Sequence, residues 1–287
     1  MASPRSNVRL EEVSEPVTLI LCDIWGVLHN GAVAFVAAAA ALQRARLAGK
    51  TVILLSNAPR PGSDVVPQLD RLGIPRDAYD GILTSGDICR DLIMARQPER
   101  FYHIGPPRDS TLFDGLNCGP VALADADYLL CSGLTDDTVE TPDTYTELFN
   151  TCLLRNLPML CANPDLIVDR GGTEIFCAGA LAELYASMGG QTTVIGKPKA
   201  IAYERALAHA TTLTGREFER METLAIGDSM RTDIAGAAGY GLHSLFIAAG
   251  IHARDLLGPD KAIDPARLAH WLVSQPVAPD AVMRMLS

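Results

Sequence analysis

The sequence predicts an α/β fold: a parallel sheet covered by helices on both faces and interrupted by a second, inserted α/β unit. Three observations carry this reading. Apolar, β-rich runs alternate with helical patterns in both outer parts of the chain, which is the pattern of a parallel sheet. Four polar clusters stand just after such runs, namely Asp23, Ser56-Asn57, Gly196-Lys197-Pro198, and Gly227-Asp228 with Asp233 beyond. The stretch between the second and third clusters is too long for a loop and has strand and helix patterns of its own.

Taken in order, strands are expected at 17–23, 51–56, 81–84, 193–196, 222–227 and 243–247, and helices at 32–48, 63–73, 86–96, 199–213 and 231–240. The run Val17-Thr18-Leu19-Ile20-Leu21-Cys22 delivers Asp23 onto a turn containing Gly26. Open α/β sheets present reactive groups in this way at their carboxyl edge. The Ala-rich segment 33–48 is too short to span a bilayer and is expected to cover one sheet face. Inside the insert, strands are expected at 101–104, 127–131 and 158–161 and helices at 142–155 and 178–187, with turns at Gly105-Pro106-Pro107 and Gly189-Gly190. This divides the chain into a discontinuous core, 1–99 and 191–287, and an inserted domain, 100–190. The last thirty residues, with Pro259, Pro265, Pro276 and Pro279, are expected to form an irregular tail with one short helix near 266–273.

Of the 287 residues, 48% are hydrophobic and 20% charged, enough apolar material for a sizeable core. A net charge of −10 argues against nucleic acid or an anionic membrane surface as partner, but not against a small anionic substrate held by a local positive site or a bound cation. Seven cysteines without CxxC spacing point to free thiols rather than disulfides or zinc. The polar N-terminus lacks a signal-peptide core, so the protein is expected in the cytoplasm.

The four clusters match the needs of phosphate-monoester hydrolysis by a carboxylate nucleophile. That chemistry takes an exposed Asp to attack and a hard cation to cancel the repulsion between two anions. It also takes a hydroxyl for the phosphoryl oxygens and a lysine for the transition-state charge. Asp23, Asp228, Ser56 and Lys197 supply these functions. Taken singly, each has an ordinary alternative: a turn at Ser56-Asn57, a solvated lysine, a helix cap at Asp228. Asp228 and Asp233 beside a helix start also suit a hard oxygen-liganded cation.

Asp23-x-x-Gly26-Val27, Leu55-Ser56-Asn57, Ile195-Gly196-Lys197-Pro198 and Gly227-Asp228-x-x-x-Thr232-Asp233-Ile234 resemble the four motifs of the haloacid dehalogenase superfamily. The insert resembles its C2-type cap. Ala162-Asn163-Pro164-Asp165 and Cys177-Ala178-Gly179-Ala180 are similar to the class IIA branch, which holds NagD-like sugar-phosphate and nucleotide phosphatases, para-nitrophenyl phosphatase-like proteins and pyridoxal phosphatase. The resemblance spans roughly residues 17–250. It implies a Rossmann-like core, an α/β cap, Mg²⁺ dependence, an aspartyl-phosphate intermediate, a small phosphorylated substrate and cap-mediated homodimers.

Carried over by position, Asp23 resembles the nucleophile, Ser56 the phosphate-binding hydroxyl, Asn57 its backbone-positioned neighbour, and Lys197 the lysine bridging nucleophile and phosphate. Asp23, Asp228 and the Trp25 carbonyl match the metal ligands, with Asp233 an indirect ligand or support. Asn163, Asp165 and Arg170 of the cap, and Arg60 past the second motif, are candidates for contacting substrate.

Trp25 departs from the pattern. The family's phosphatases carry there an Asp that protonates the leaving alkoxide and then activates water. An indole can do neither, and general acid–base catalysis contributes about 10²–10⁴-fold. Trp25 either fills a gap beside the turn or lines the substrate pocket, where it could stack on a ring. An enzyme without that Asp would favour good leaving groups such as phenyl phosphates, or recruit an acid from the cap. Two other readings stand beside phosphatase. Carbon–halogen hydrolysis is one, since dehalogenases also carry an aromatic residue at this position, although Asp228 argues against it. A phosphometabolite-binding protein with weakened catalysis is the other.

Overall fold

The computed structural model describes residues 4–6 and 8–287. In chain order its strands are β1 (Arg5–Ser6), β2 (Leu19–Cys22), β3 (Thr51–Ser56), β4 (Gly81–Thr84), β5 (Phe101–Ile104), β6 (Tyr128–Cys131), β7 (Met159–Cys161), β8 (Ile167–Arg170), β9 (Thr173–Phe176), β10 (Thr192–Val194), β11 (Thr223–Gly227), β12 (His243–Ile247) and β13 (Ala281–Met283). Seven strands form a parallel sheet in the order β1-β13-β12-β11-β2-β3-β4. A second parallel sheet runs β10-β7-β6-β5, and β8 and β9 form a separate antiparallel hairpin.

The large sheet is buried on both faces, and the period-two alternation of a strand divides its residues between them. Ile20, Cys22, Val52 and Leu54 join one apolar cluster with Ala38, Ala41 and Leu42 of the helix Val36–Leu47, so the Ala-rich segment does cover a sheet face. Leu19, Leu21, Ile53 and Leu55 join the opposite cluster. That cluster takes in Ile88, Cys89 and Ile93 of the helix Ser85–Ala95, then Ala202, Ala206 and Ala210 of Ala200–Thr214, and continues into Phe101, Tyr128, Leu130 and Leu160 of the second sheet. The other face of the second sheet has its own cluster around Leu129, Met159, Phe149, Leu181 and Tyr185.

Local signals account for several boundaries. Thr84 and Asp87 form a reciprocal capping box that starts the helix Ser85–Ala95. Asp264 caps the helix Pro265–Val273, accepting from the N–H groups of Ala266 and Arg267, with Pro265 in the first-turn position it favours.

Three expectations change, and one element was not anticipated. The strand expected at 193–196 in the core sheet is β10, which pairs with β7 and so extends the insert's sheet past residue 190. The tail is more than irregular: Ala281–Met283 is a buried strand between β1 and β12, three residues being too few to show a periodicity. Residues 167–176 form a hairpin whose turn, Gly171-Gly172, has φ of +63° and +94°, a conformation glycine adopts without steric cost. The helix expected at 231–240 begins with a π-helical turn, Met230–Ile234, before Ala235–Tyr240. All seven cysteines are free thiols. No helix among the described residues is long and apolar enough to cross a membrane.

The tail strand is a structural requirement that can be tested. Val282 is fully buried against Phe246 and Leu268. Val282→Asp would bury an unpaired carboxylate at a cost of several kcal/mol, against a whole-domain stability of about 5–15 kcal/mol. The expected outcome is loss of cooperative thermal melting, read by circular dichroism.

Candidate active site

Parallel register brings the clusters to one edge. Cys22 lies opposite both Leu54 and Ile226, and Asp23 N–H donates to Ile226 O at 2.8 Å, one step beyond the strand. Ser56 ends β3, and Asp228 follows the last residue of β11. β2 lies between β3 and β11, so the chain leaves in opposite directions on its two sides, and such a switch point opens a crevice at the carboxyl edge. Lys197 arrives by another route, from the segment joining β10 of the second sheet to the helix Ala200–Thr214.

Lys197 Nζ donates to Asp23 Oδ1 and to Asp233 Oδ1, both at 2.6 Å, in a nearly dry environment. The remaining oxygen of Asp233 accepts from Ser229 N–H at 3.1 Å. Asp228 Oδ2 accepts from Ile251 N–H at 2.7 Å. The carboxylates of Asp23, Asp228 and Asp233 each offer an oxygen within 4.8 Å of the others. Backbone approaches Asp228 so closely that a Cβ at Gly26 or Gly250 would lie 1.9 or 2.0 Å from its Oδ2. Gly26 also has a φ of +82°, so both space and backbone conformation require glycine there.

Electrostatics follow from this crowding. Burial pushes the Asp23 carboxyl up to about 7 despite the pull of Lys197. Burial, then repulsion from Asp23 and Asp233, raises Asp228 well above the usual carboxylate range. Burial opposes the charge on Lys197, but Asp23 and Asp233 outweigh it and hold the ammonium above its ordinary value. Three carboxylates gather around one lysine that bonds only two of them, which leaves an excess of negative charge that a divalent cation would neutralise. These carboxylate donors suit a hard cation, so the residues present fit Mg²⁺.

Asn57 locks the lysine from the backbone side. Its Oδ1 accepts from Lys197 N–H at 2.8 Å, and its Nδ2 donates to Lys197 O at 3.3 Å and to Asp165 Oδ1 at 2.9 Å. Ser56 Oγ accepts from Ala58 N–H at 3.2 Å and faces the same cleft. Asn163 shapes a turn, its Oδ1 accepting from Asp165 N–H at 3.0 Å. Arg60 donates to Gln68 Oε1 at 3.1 Å and lies 3.8 Å from Asp109.

Trp25 is half-buried, and its Nε1–H donates to the carbonyl of Asp169 in β8 at 2.7 Å. Its ring meets His29 edge-on at 5.1 Å. The tryptophan therefore ties the loop after Asp23 to the insert's hairpin as well as lining the cleft. His29 is buried, which lowers its pKa to about 4 and keeps it neutral.

All the residues singled out from sequence line one cleft of about 810 Å³ between the two sheets: Asp23, Trp25, Ser56, Asn57, Arg60, Asn163, Asp165, Arg170, Lys197, Asp228 and Asp233. Sequence reasoning passed over Asp109, Ser132 and Asp137 in its insert wall and Arg231 in its core wall. Ser132-Gly133 stands at the exit of β6 as Ser56-Asn57 stands at the exit of β3, so the strand-end signal was available. Asp137 pairs with Arg108 and Arg170, and Arg231 Nη2 donates to Pro164 O at 2.5 Å. Neither contact leaves a trace in local pattern.

Comparison with known proteins agrees with this geometry. Residues 20–118 match the family described as haloacid dehalogenase-like hydrolase, and residues 194–274 match one described as HAD-hydrolase-like. A solved hydrolase of the haloacid dehalogenase-like family from Brucella suis is 44% identical, with a TM-score of 0.86 over 97% of this chain and 99% of its own. The 5'-nucleotidase YutF of Bacillus subtilis is 25% identical over 88% of this chain and 96% of its length. The p-nitrophenyl phosphatase of Archaeoglobus fulgidus, 18% identical, shares the fold with a TM-score of 0.70 over 94% of this chain and 96% of its own. Motifs, sheet topology and close kinship converge: the chain belongs to the haloacid dehalogenase-like hydrolase family, in its class IIA branch.

Proposed function

We propose that the protein hydrolyses phosphate monoesters of small metabolites, with Asp23 as nucleophile and Mg²⁺ as cofactor. The observation that carries this reading is the single buried lysine held between Asp23 and Asp233, beside Asp228 and in the cleft that Ser56 faces. Asp23 Oδ1 is held by Lys197, and Oδ2 has no hydrogen-bond partner among the described residues, so one oxygen is free to attack phosphorus. Ser56 Oγ and Lys197 Nζ would take the phosphoryl oxygens, and the lysine would stabilise charge as the P–O bond to the leaving group breaks. The product of this step is an aspartyl phosphate, which water then hydrolyses.

Asp23, Asp228 and the Trp25 carbonyl would hold Mg²⁺, with Asp233 supporting from behind, since its two oxygens are taken up by Lys197 and Ser229. When bound, the ion supplies positive charge that cancels the repulsion between the nucleophile and the phosphoryl group. A carbon–halogen hydrolase would leave Asp228 and its close-fitting glycines without a role. The similarity to a 5'-nucleotidase makes nucleoside 5'-monophosphates the first substrates to try, beside sugar phosphates and p-nitrophenyl phosphate.

With Mg²⁺ present, turnover is expected on at least one member of that panel. Chelation should abolish it, and Asp23→Asn should eliminate it, since an amide is a poor nucleophile. Inactivity on every phosphate ester tried, or full activity in excess chelator, would overturn the reading.

The metal should also govern stability. A carboxyl whose folded-state pKa is raised stabilises the fold below its ordinary value near 4, and that contribution is lost as pH rises through about 7. Metal-free protein should therefore lose stability through this cluster between pH 4 and 7. Mg²⁺ favours the ionised carboxylates, so its increase in melting temperature should be larger at pH 8 than at pH 5, as measured by thermal denaturation.

A further inference from the structure

The cleft holds a carboxyl group that the mechanism above does not use. Asp165 stands on the insert side, immediately before the hairpin, and three bonds besides the Asn163 turn fix its position. Asn57 Nδ2 donates to its Oδ1 at 2.9 Å, Gly179 N–H donates to its carbonyl at 3.1 Å, and Arg231 holds the preceding carbonyl of Pro164 at 2.5 Å. A Cβ at Gly179 would lie 2.5 Å from the Asp165 carbonyl, so the helix Ala178–Ser187 presses directly against this turn. Asp165 Oδ2 has no partner among the described residues. The side chain is thus firmly placed, bonded to the residue next to Ser56, and belongs to a residue lining the cleft, with one oxygen unpartnered among the described residues.

An in-line displacement expels the leaving oxygen on the side of phosphorus away from Asp23. The proton has to come from a group beyond the phosphate, and the position two residues after Asp23 offers only an indole. We infer that Asp165 is the general acid and base of the reaction, supplied by the insert in place of the carboxylate missing at position 25. This rests on the phosphatase reading.

The steps balance without any further reagent. Asp23 Oδ2 bonds to phosphorus as the bond from phosphorus to the leaving oxygen breaks. The electron pair goes to that oxygen, which takes the proton of the Asp165 carboxyl and departs as the alcohol. The Asp165 carboxylate then accepts a proton from water as the water oxygen bonds to phosphorus, and the electron pair of the breaking P–O bond returns to Asp23. Phosphate leaves and Asp165 is again protonated.

The surroundings suit the role. Burial raises the Asp165 carboxyl above its usual range, opposed first by the Asn57 hydrogen bond and then by Lys197 and Arg231, while the charge on Asp233 adds to the rise. Cys177 also faces it, as a thiol pushed up by burial and therefore neutral. The other candidates are less apt. His29 is neutral, buried and accepts from Gly31 N–H through Nδ1. Asp137 is held below the carboxylate range by Arg170 despite its burial, with Arg108 adding to the effect. Burial raises Asp109 as well, against its bond to Ser132 and the charges of Arg108 and Arg60, but among the described residues no hydrogen bond ties its side chain to the Ser56-Asn57 turn as one ties Asp165. Trp25 contributes indirectly: its bond to Asp169 pins the strand that Asp165 leads into.

The test is the leaving-group dependence of Asp165→Asn, Asp165→Glu and wild type, each loaded with Mg²⁺. Alkyl phosphates need their leaving oxygen protonated and aryl phosphates scarcely do. Asp165→Asn should therefore lose roughly 10²-fold or more in kcat/KM, which covers the steps through release of the alcohol, on alkyl esters, within the ~10²–10⁴ that acid–base catalysis contributes, and less than about tenfold in kcat/KM on p-nitrophenyl phosphate. The fall of the alkyl-ester rate at high pH should vanish in Asp165→Asn and persist in Asp165→Glu, which keeps a titratable proton. Retained aryl activity would show that the variant is folded. Equal losses of kcat/KM on both ester classes in a variant of native melting temperature would overturn the inference and make Asp165 a positioning residue acting through Asn57. A wild type inactive on every phosphate ester would instead remove the phosphatase reading itself.

Discussion

One ammonium group between two carboxylates organises this molecule. Lys197 is buried, and a buried charge is tolerated only when it is paired and hydrogen-bonded. Asp23 comes from the end of β2, Asp233 from the π-helical turn after β11, and Lys197 from the exit of the insert. Satisfying the lysine therefore draws together three segments that share no strand pairing at that point. Asn57 adds the fourth by clamping the lysine's peptide group on both sides. The same crowding leaves Asp228 without a cationic partner among the described residues, an excess of negative charge that a divalent ion would offset.

Much of this was legible because parallel sheets place strand ends together. Asp23, Ser56 and Asp228 each follow an apolar run, and the register of β2, β3 and β11 puts them on one edge. Lys197 also follows an apolar run, but β10 belongs to the other sheet, and a run of three residues does not reveal which sheet it joins. The strand at Ala281–Met283 was hidden for the same reason. The ion pairs of Asp137 with Arg108 and Arg170, and the reach of Arg231 to Pro164, join residues distant in sequence, and no local periodicity encodes them.

Trp25 shows how a departure from a family pattern is read more fully in three dimensions. In sequence it is a missing carboxylate. In the structure its indole N–H is spent on the insert's hairpin, and its ring meets His29 edge-on. A residue that cannot carry a proton has become a tether between the loop after Asp23 and the wall opposite.

The apolar cluster that joins the two sheets has a consequence for how such a molecule can vary. Phe101, Tyr128, Leu130 and Leu160 of the insert pack in the same cluster as Leu19, Leu21, Ile53 and Leu55 of the core. The insert is therefore not an exchangeable module: another cap grafted onto this core would have to match the shapes of those side chains or leave cavities, each costly in a close-packed interior. The hairpin from Ile167 to Phe176 is free of that constraint, since none of its residues belongs to the shared cluster and its strands are joined by two glycines at the tip. Changes in what the cleft admits can thus accumulate along ten residues of its rim while the interior that positions Lys197 stays the same.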